Sequence, residues 1–196
     1  MKRKISHHRK TKETNIKVDL NIDGKGKMSI STSIPFFDHL LTSFSKHGLF
    51  DLKIKAKGDL EIDQHHTIED IGISLGEAFG KALGNKKGIN RSGFFAFPMD
   101  EALGIVAVDI SGRALVNFDA KFSKEKIGDL ESDVIKEFFW GFARALEATI
   151  HIRLLYGEND HHKSEAMFKA FGKAMKMACS KDKRILKDLP TTKGII

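Results

Sequence analysis

His65-His66-Thr67-Ile68-Glu69 and His161-His162-Lys163-Ser164-Glu165 carry one pattern: two adjacent histidines, with a glutamate four places after the first, repeated 96 residues further on. The residues that follow keep the offset. Gly76 falls on Gly172, Ala78 on Ala174, Ala82 on Ala178 and Leu75 on Phe171. Upstream, the apolar stretch containing His39 falls on the one containing Glu137. A ligand-bearing pattern that recurs together with its surroundings marks a duplicated unit rather than a chance match.

Outward from the first copy, residues 66–83 read as a helix closed by Gly84. Before it, Leu52, Ile54 and Ala56 alternate as a strand does, with Leu60 and Ile62 extending the pairing after a Gly58-Asp59 turn. Pro35 opens a helix over residues 36–47, stopped by Gly48. Ile16, Val18, Leu20 and Ile22 alternate with polar residues, the period of a half-buried strand. Asp23-Gly24-Lys25-Gly26 then reads as a hairpin turn returning through Met28 and Ile30. In the second copy, residues 94–97, 104–110, 114–118 and 149–155 read as strands. Residues 133–148, capped by Ser132, and 162–178 read as helices. The expected fold is α+β: two duplicated half-domains, residues 1–88 and 89–196, joined in one domain. Each half is expected to hold a mixed β-sheet of about four strands with two helices packed on one face.

Composition narrows the class. The 196 residues are 41% hydrophobic and 30% charged, which suits a folded domain rather than a disordered chain. The longest apolar runs, 94–97 and 105–108, are too short to cross a bilayer, and no apolar segment of a secretory signal follows the start. Cys179 is the single cysteine, which excludes an internal disulfide and points to a reducing compartment. A soluble, cytoplasmic chain without a membrane partner is expected. The formal net charge is +7. Lys2, Arg3, Lys4, Arg9, Lys10 and Lys12 all precede the first acid, Glu13, so most of the excess sits in one arm. That arm reads as a solvated terminus. The near-neutral balance elsewhere argues against a nucleic-acid face.

At helical spacing, the first histidine and the glutamate of each copy stand one turn apart on one face, with the second histidine rotated by about 100°. One cation can take the first histidine and the glutamate while the second histidine reaches another cation. Two copies related by a pseudo-twofold then close on each other. His65 and Glu69 pair with His162, His161 and Glu165 pair with His66, and His39 and Glu137 each add a ligand. Imidazole and carboxylate without thiolate suit Mn, Fe or Zn. His7 and His8 lie in the basic arm and His151 in an apolar strand, where none has such partners. His47, just before Gly48, stands where it opposes a helix dipole. Arg91 and Arg113 follow turns, Lys169 lies on the second metal-bearing helix, and Lys193 follows Thr191 and Thr192. Hydroxyls, amides and cations of this kind together suit phosphate.

At these residues the chain resembles the imidazoleglycerol-phosphate dehydratases of histidine biosynthesis. The resemblance runs from Arg9 to Gly194. It is carried by Arg9-Lys10-Thr11-Lys12-Glu13-Thr14, Phe36-Phe37-Asp38-His39-Leu40-Leu41 and Asp63-Gln64-His65-His66-Thr67-Ile68-Glu69-Asp70. It continues through Gly88-Ile89-Asn90-Arg91, Pro98-Met99-Asp100-Glu101-Ala102, Asp109-Ile110-Ser111-Gly112-Arg113 and the second histidine pair running into Phe168-Lys169-Ala170. Thr191-Thr192-Lys193-Gly194 stands where the family usually shows Ser-Ser-Lys-Gly.

The resemblance implies a lyase that converts imidazole glycerol phosphate to imidazole acetol phosphate and water. It implies two Mn²⁺ per active site and a homo-oligomer of trimers assembled into a 24-subunit shell, with sites at subunit interfaces. The metal residues carry over to His39, His65, His66, Glu69, His161, His162 and Glu165, and Glu137 stands where some members have a histidine ligand. Phosphate contacts carry over to Arg91, Arg113, Lys169, Thr191, Thr192 and Lys193, with His47 near the substrate. Glu13, supplied by a neighbouring subunit, carries over as the base that removes the C2 proton. Two other classes fit the ligand pattern alone. A dinuclear phosphohydrolase would release phosphate, and a metal-storage protein would leave the basic groups without a joint role.

Overall fold

A computed structural model describes residues 3–196; Lys2 of the basic arm lies outside the described residues. The first half runs β1 (Lys4–Lys10), β2 (Thr14–Asn21), β3 (Met28–Ser31), α1 (Pro35–Gly48), β4 (Asp51–Gly58), α2 (His65–Leu83). The second runs β5 (Ser92–Met99), β6 (Ala102–Asp109), β7 (Leu115–Asp119), a short hairpin of β8 (Lys126–Ile127) and β9 (Leu130–Glu131), then α3 (Ile135–Leu146), β10 (Thr149–Tyr156) and α4 (Asp160–Cys179). The sheets are ordered β1-β2-β4-β3 and β5-β6-β10-β7. They are the same mixed sheet built twice. In each, the last two strands in the order pair in parallel across a helical crossover and the other pairs are antiparallel.

The basic arm is not a solvated terminus. Residues 4–10 form β1, paired antiparallel with β2 from Lys4↔Asn21 to Lys10↔Asn15. Lys4, Ser6, His8 and Lys10 point to solvent, while Ile5, His7 and Arg9 turn toward α2. The hairpin expected between residues 22 and 30 also does not form. Asp51, opening β4, accepts hydrogen bonds from the backbone N–H of Lys25 at 2.8 Å and of Lys27 at 3.0 Å. This folds the turn over the start of β4, and a Cβ at Gly24 would lie 2.3 Å from Asp51 N. β3 is thereby carried past β4 and pairs with its far side, Ile30 opposite Ile54. Leu60 and Ile62 lie in a turn and extend no strand.

α1 and α2 cover the first sheet and α3 and α4 the second, with α2 against α3 and α1 against α4. The helices form the middle of the molecule. Their apolar faces meet in a phenylalanine cluster that includes Phe44, Phe79, Phe138, Phe142 and Phe171. Two glycines permit the close approach. A Cβ at Gly76 would lie 2.6 Å from Phe142 O, and one at Gly172 would lie 2.4 Å from Phe44 O. The seats match at the repeat offset, so the pseudo-twofold is built into the helix contacts. Among the described residues no helix is long and apolar enough to cross a membrane.

Candidate active site

The parallel packing of α1 on α4 brings the start of one helix to the start of the other. There, His39, His161 and Glu165 offer ligand atoms that all lie within 4.8 Å of one another. Glu165 Oε1 lies 3.1 Å from His39 Nε2 and 2.9 Å from His161 Nε2, and Oε2 lies 2.5 Å from Lys169 Nζ. Burial works against ionisation of Glu165. Hydrogen bonds from Lys169, His39 and His161 outweigh it and hold the carboxyl down at about 2. Both histidines remain open to solvent while the glutamate is buried. Two imidazoles and an ionised carboxylate, converging without a thiolate, fit a divalent cation of the Mn, Fe or Zn type.

The corresponding place in the first half is arranged differently. Glu69 Oε2 is 3.8 Å from His65 Nε2, and its Oε1 accepts a hydrogen bond from Arg144 Nη1 at 3.1 Å. Glu137, expected as the counterpart of His39, is paired with Lys136 at 3.6 Å. Within one chain the structure does not bring His65 and Glu69 to His162, nor His66 to His161 and Glu165. Among the described residues the cluster around Glu165 is the only group of three converging ligands.

The second histidines share a different feature. His66 Nδ1 lies 3.0 Å from Asp59 Oδ2, and His162 Nδ1 lies 2.7 Å from Glu101 Oε2. These carboxylates raise the pKa of His66 and His162 respectively. Each fixes one ring nitrogen, leaving Nε2 as the atom for a metal, the usual arrangement around a ligating histidine. Glu101 also accepts from the backbone N–H of Asn159 at 2.8 Å and Glu158 at 3.1 Å. The Asn159 bond is the strongest influence that lowers its carboxyl to about 2, followed by His162. Asp59 and Glu101 are not legible as site residues: Asp59 reaches His66 across the irregular turn before α2, and Glu101 reaches His162 from the distant β5–β6 turn, and neither spacing is a recognised pattern. Glu13, in the β1–β2 turn, is exposed and lies 4.0 Å from His66 Nδ1 of its own chain.

Arg91, Arg113, Thr191, Thr192 and Lys193 line one cavity of about 320 Å³, closed by the tail after α4. Arg91 is not a free cation there. Its Nε and Nη2 donate to Asp109 at 2.7 and 2.9 Å, and its Nη1 donates to Pro190 O at 3.0 Å. It thus holds the tail against β6. Lys169 and His47 stand outside this cavity. Lys169 is engaged by Glu165 and Met99 Sδ, and His47 packs edge-on against Phe97. Burial first, then the Lys169 and Lys173 charges, lower the His47 pKa.

The family model described as imidazoleglycerol-phosphate dehydratase matches residues 32–175. The imidazoleglycerol-phosphate dehydratase of Acetivibrio thermocellus is 54% identical over all of this chain and all of its own length. That of Koribacter versatilis is 52% identical over 99% of this chain and all of its own. A crystal structure of IGPD from Pyrococcus furiosus superposes with a TM-score of 0.81 at 41% identity, covering 96% of this chain and 99% of that one. The Staphylococcus aureus imidazoleglycerol-phosphate dehydratase gives a TM-score of 0.80 at 37% identity over 91% of this chain and 99% of its own. The chain belongs to the imidazoleglycerol-phosphate dehydratase family of hydro-lyases.

Proposed function

We propose that the chain is a cytoplasmic, Mn²⁺-dependent enzyme that removes water from imidazole glycerol phosphate to give imidazole acetol phosphate. The observation that carries the reading is the Glu165 carboxylate, ionised and buried between two exposed imidazoles. Two Mn²⁺ ions would be held by His39, His65, His66, Glu69, His161, His162 and Glu165, with Glu137 as a further donor. Bound there, they would supply Lewis-acid stabilisation for the anionic imidazole ring needed to expel a hydroxyl beside no carbonyl.

A single chain leaves its two histidine pairs apart, which supports a site completed by a second copy. We assign one side to His65, His66 and Glu69 of one subunit and the other to His161, His162 and Glu165 of its neighbour, in trimers that build a 24-subunit shell. Glu13 stands beside its own His66 and so arrives with the first side. To the second side it is a neighbour's residue. Once the C3 hydroxyl has left, the Glu13 carboxylate takes the C2 proton, and the resulting enol becomes the ketone by moving its O–H proton to carbon. Arg113, Lys193, Thr191 and Thr192 bind the phosphate, with Arg91 holding their loop in place. Lys169 and His47 border the substrate from α4 and α1.

Turnover of imidazole glycerol phosphate by metal-stripped protein, before and after Mn²⁺ is restored, tests the proposal by product mass. Loss of one water only with Mn²⁺ is expected. Release of phosphate, or intact substrate with folded, metal-loaded protein, contradicts it.

A further inference from the structure

Asp70 follows Glu69 on α2 and is 8% exposed. Its Oδ2 accepts a hydrogen bond from Thr14 Oγ1 at 2.5 Å and lies 2.6 Å from Arg9 Nη1. Arg9 stands near the end of β1 and Thr14 opens β2, so one buried carboxylate grips both flanks of the turn that carries Glu13. Inside the turn, Thr11 Oγ1 accepts from the backbone N–H of Glu13 at 3.1 Å and of Thr14 at 2.9 Å. The same hydroxyl lies 3.2 Å from Thr14 Oγ1. A continuous path of polar contacts therefore runs from α2 through Asp70, Thr14 and Thr11 to the backbone of Glu13. One turn before Asp70 on the same helix stands His66, the residue that faces the Glu13 carboxylate.

We infer that Asp70 is a positioning residue that sets the Glu13 turn in register with the histidine-bearing helix. The inference rests on the reading of Glu13 as the base. Docking of β1 does not depend on Asp70 alone. Ile5 packs against the core, and His7 Nε2 lies 2.6 Å from Glu77 Oε2 further along α2. What Asp70 adds is definition of the turn itself. The Glu13 side chain is half exposed, so its position follows the backbone of the turn. A base displaced by about 1 Å loses about 100-fold in rate, so an anchor of this kind acts on kcat.

Asp70→Asn, and Thr14→Val as a variant that keeps side-chain volume, test the inference in the assembled, Mn²⁺-loaded enzyme. Both are expected to lower kcat by about 10- to 100-fold with KM and metal content unchanged. Thr14→Ser should restore the rate. In metal-free protein, backbone amides of residues 11–14 should exchange with deuterium faster in Asp70→Asn while those of α2 keep their protection. In a Glu13→Gln background, Asp70→Asn should lower the residual rate no further, because both act through one group. Unchanged kcat in Asp70→Asn and Thr14→Val, a loss of metal, or an equal further fall in the Glu13→Gln background overturns the inference. Full turnover by Glu13→Gln would instead overturn the base assignment on which it stands.

Discussion

His39 Nε2 lies 3.1 Å from Glu165 Oε1, joining the second turn of α1 to the second turn of α4. The matching relationship in the other helix pair is absent: Glu69 turns to Arg144 and Glu137 to Lys136. The duplication has thus produced one ligand cluster already closed and one held open by neighbouring cations. Glu165→Ala should lower Mn²⁺ content by about one ion per chain, read by elemental analysis after gel filtration, because it removes the anionic ligand at the centre of the closed cluster. Undiminished metal would contradict the role given to that cluster.

Gly172 and Gly76 set the distance between paired helices. Gly172→Ala places a methyl 2.4 Å from Phe44 O and 3.0 Å from Gly48 N, both backbone atoms that cannot rotate away. Thermal unfolding should show a loss of about 2 kcal/mol or more. Gly80→Ala is the control, since its Cβ would meet only Leu146 Cδ1 at 3.9 Å. It should be neutral or slightly stabilising, because alanine favours the helix.

Burial first, and then the Lys81 charge, lower the pKa of His7 from its ordinary 6.5. The folded state therefore prefers neutral His7, and the unfolded chain takes up the proton first as pH falls. Stability contributed by this group is present above 6.5 and declines as pH drops below it, levelling off beneath the folded-state pKa. His7→Gln should flatten the dependence of Tm on pH between about 7 and 5. The same slope in both proteins would assign that dependence elsewhere.

Cys179 is fully enclosed, and burial pushes its thiol up to about 12. A thiol reagent at pH 8 should leave the folded protein unlabelled and modify one site per chain after denaturation. Rapid labelling of folded protein would show that the end of α4 opens readily.

The helices and the inner strands were legible because each carries its own period, 3.6 or 2, bounded by Pro35, Gly48 or Gly84. Pairing partners were not. The Asp23-Gly24-Lys25-Gly26 turn has the composition of a hairpin, but Asp51, distant in sequence, captures its N–H groups and sends β3 to the other side of β4. β1 was hidden by charge. Its outward lysines dominate the composition, while only Ile5, His7 and Arg9 face inward, and the last two are half-buried against partners on α2. The two histidine pairs were visible at once because their repeated pattern is local. Asp59, Glu101, Asp109 and Asp70 carry no signal of a role in the sequence, since each works through a partner that the fold sets against it.

The central claim is that each site joins the first histidine pair of one chain to the second pair of another. Co-expression of Glu69→Ala and Glu165→Ala chains, each inactive alone, tests this most directly. At equal mixing, about a quarter of sites should unite an intact first half with an intact second half, restoring about a quarter of wild-type turnover. If every site lies within one chain, the mixed assemblies will stay inactive, and that result would contradict the account.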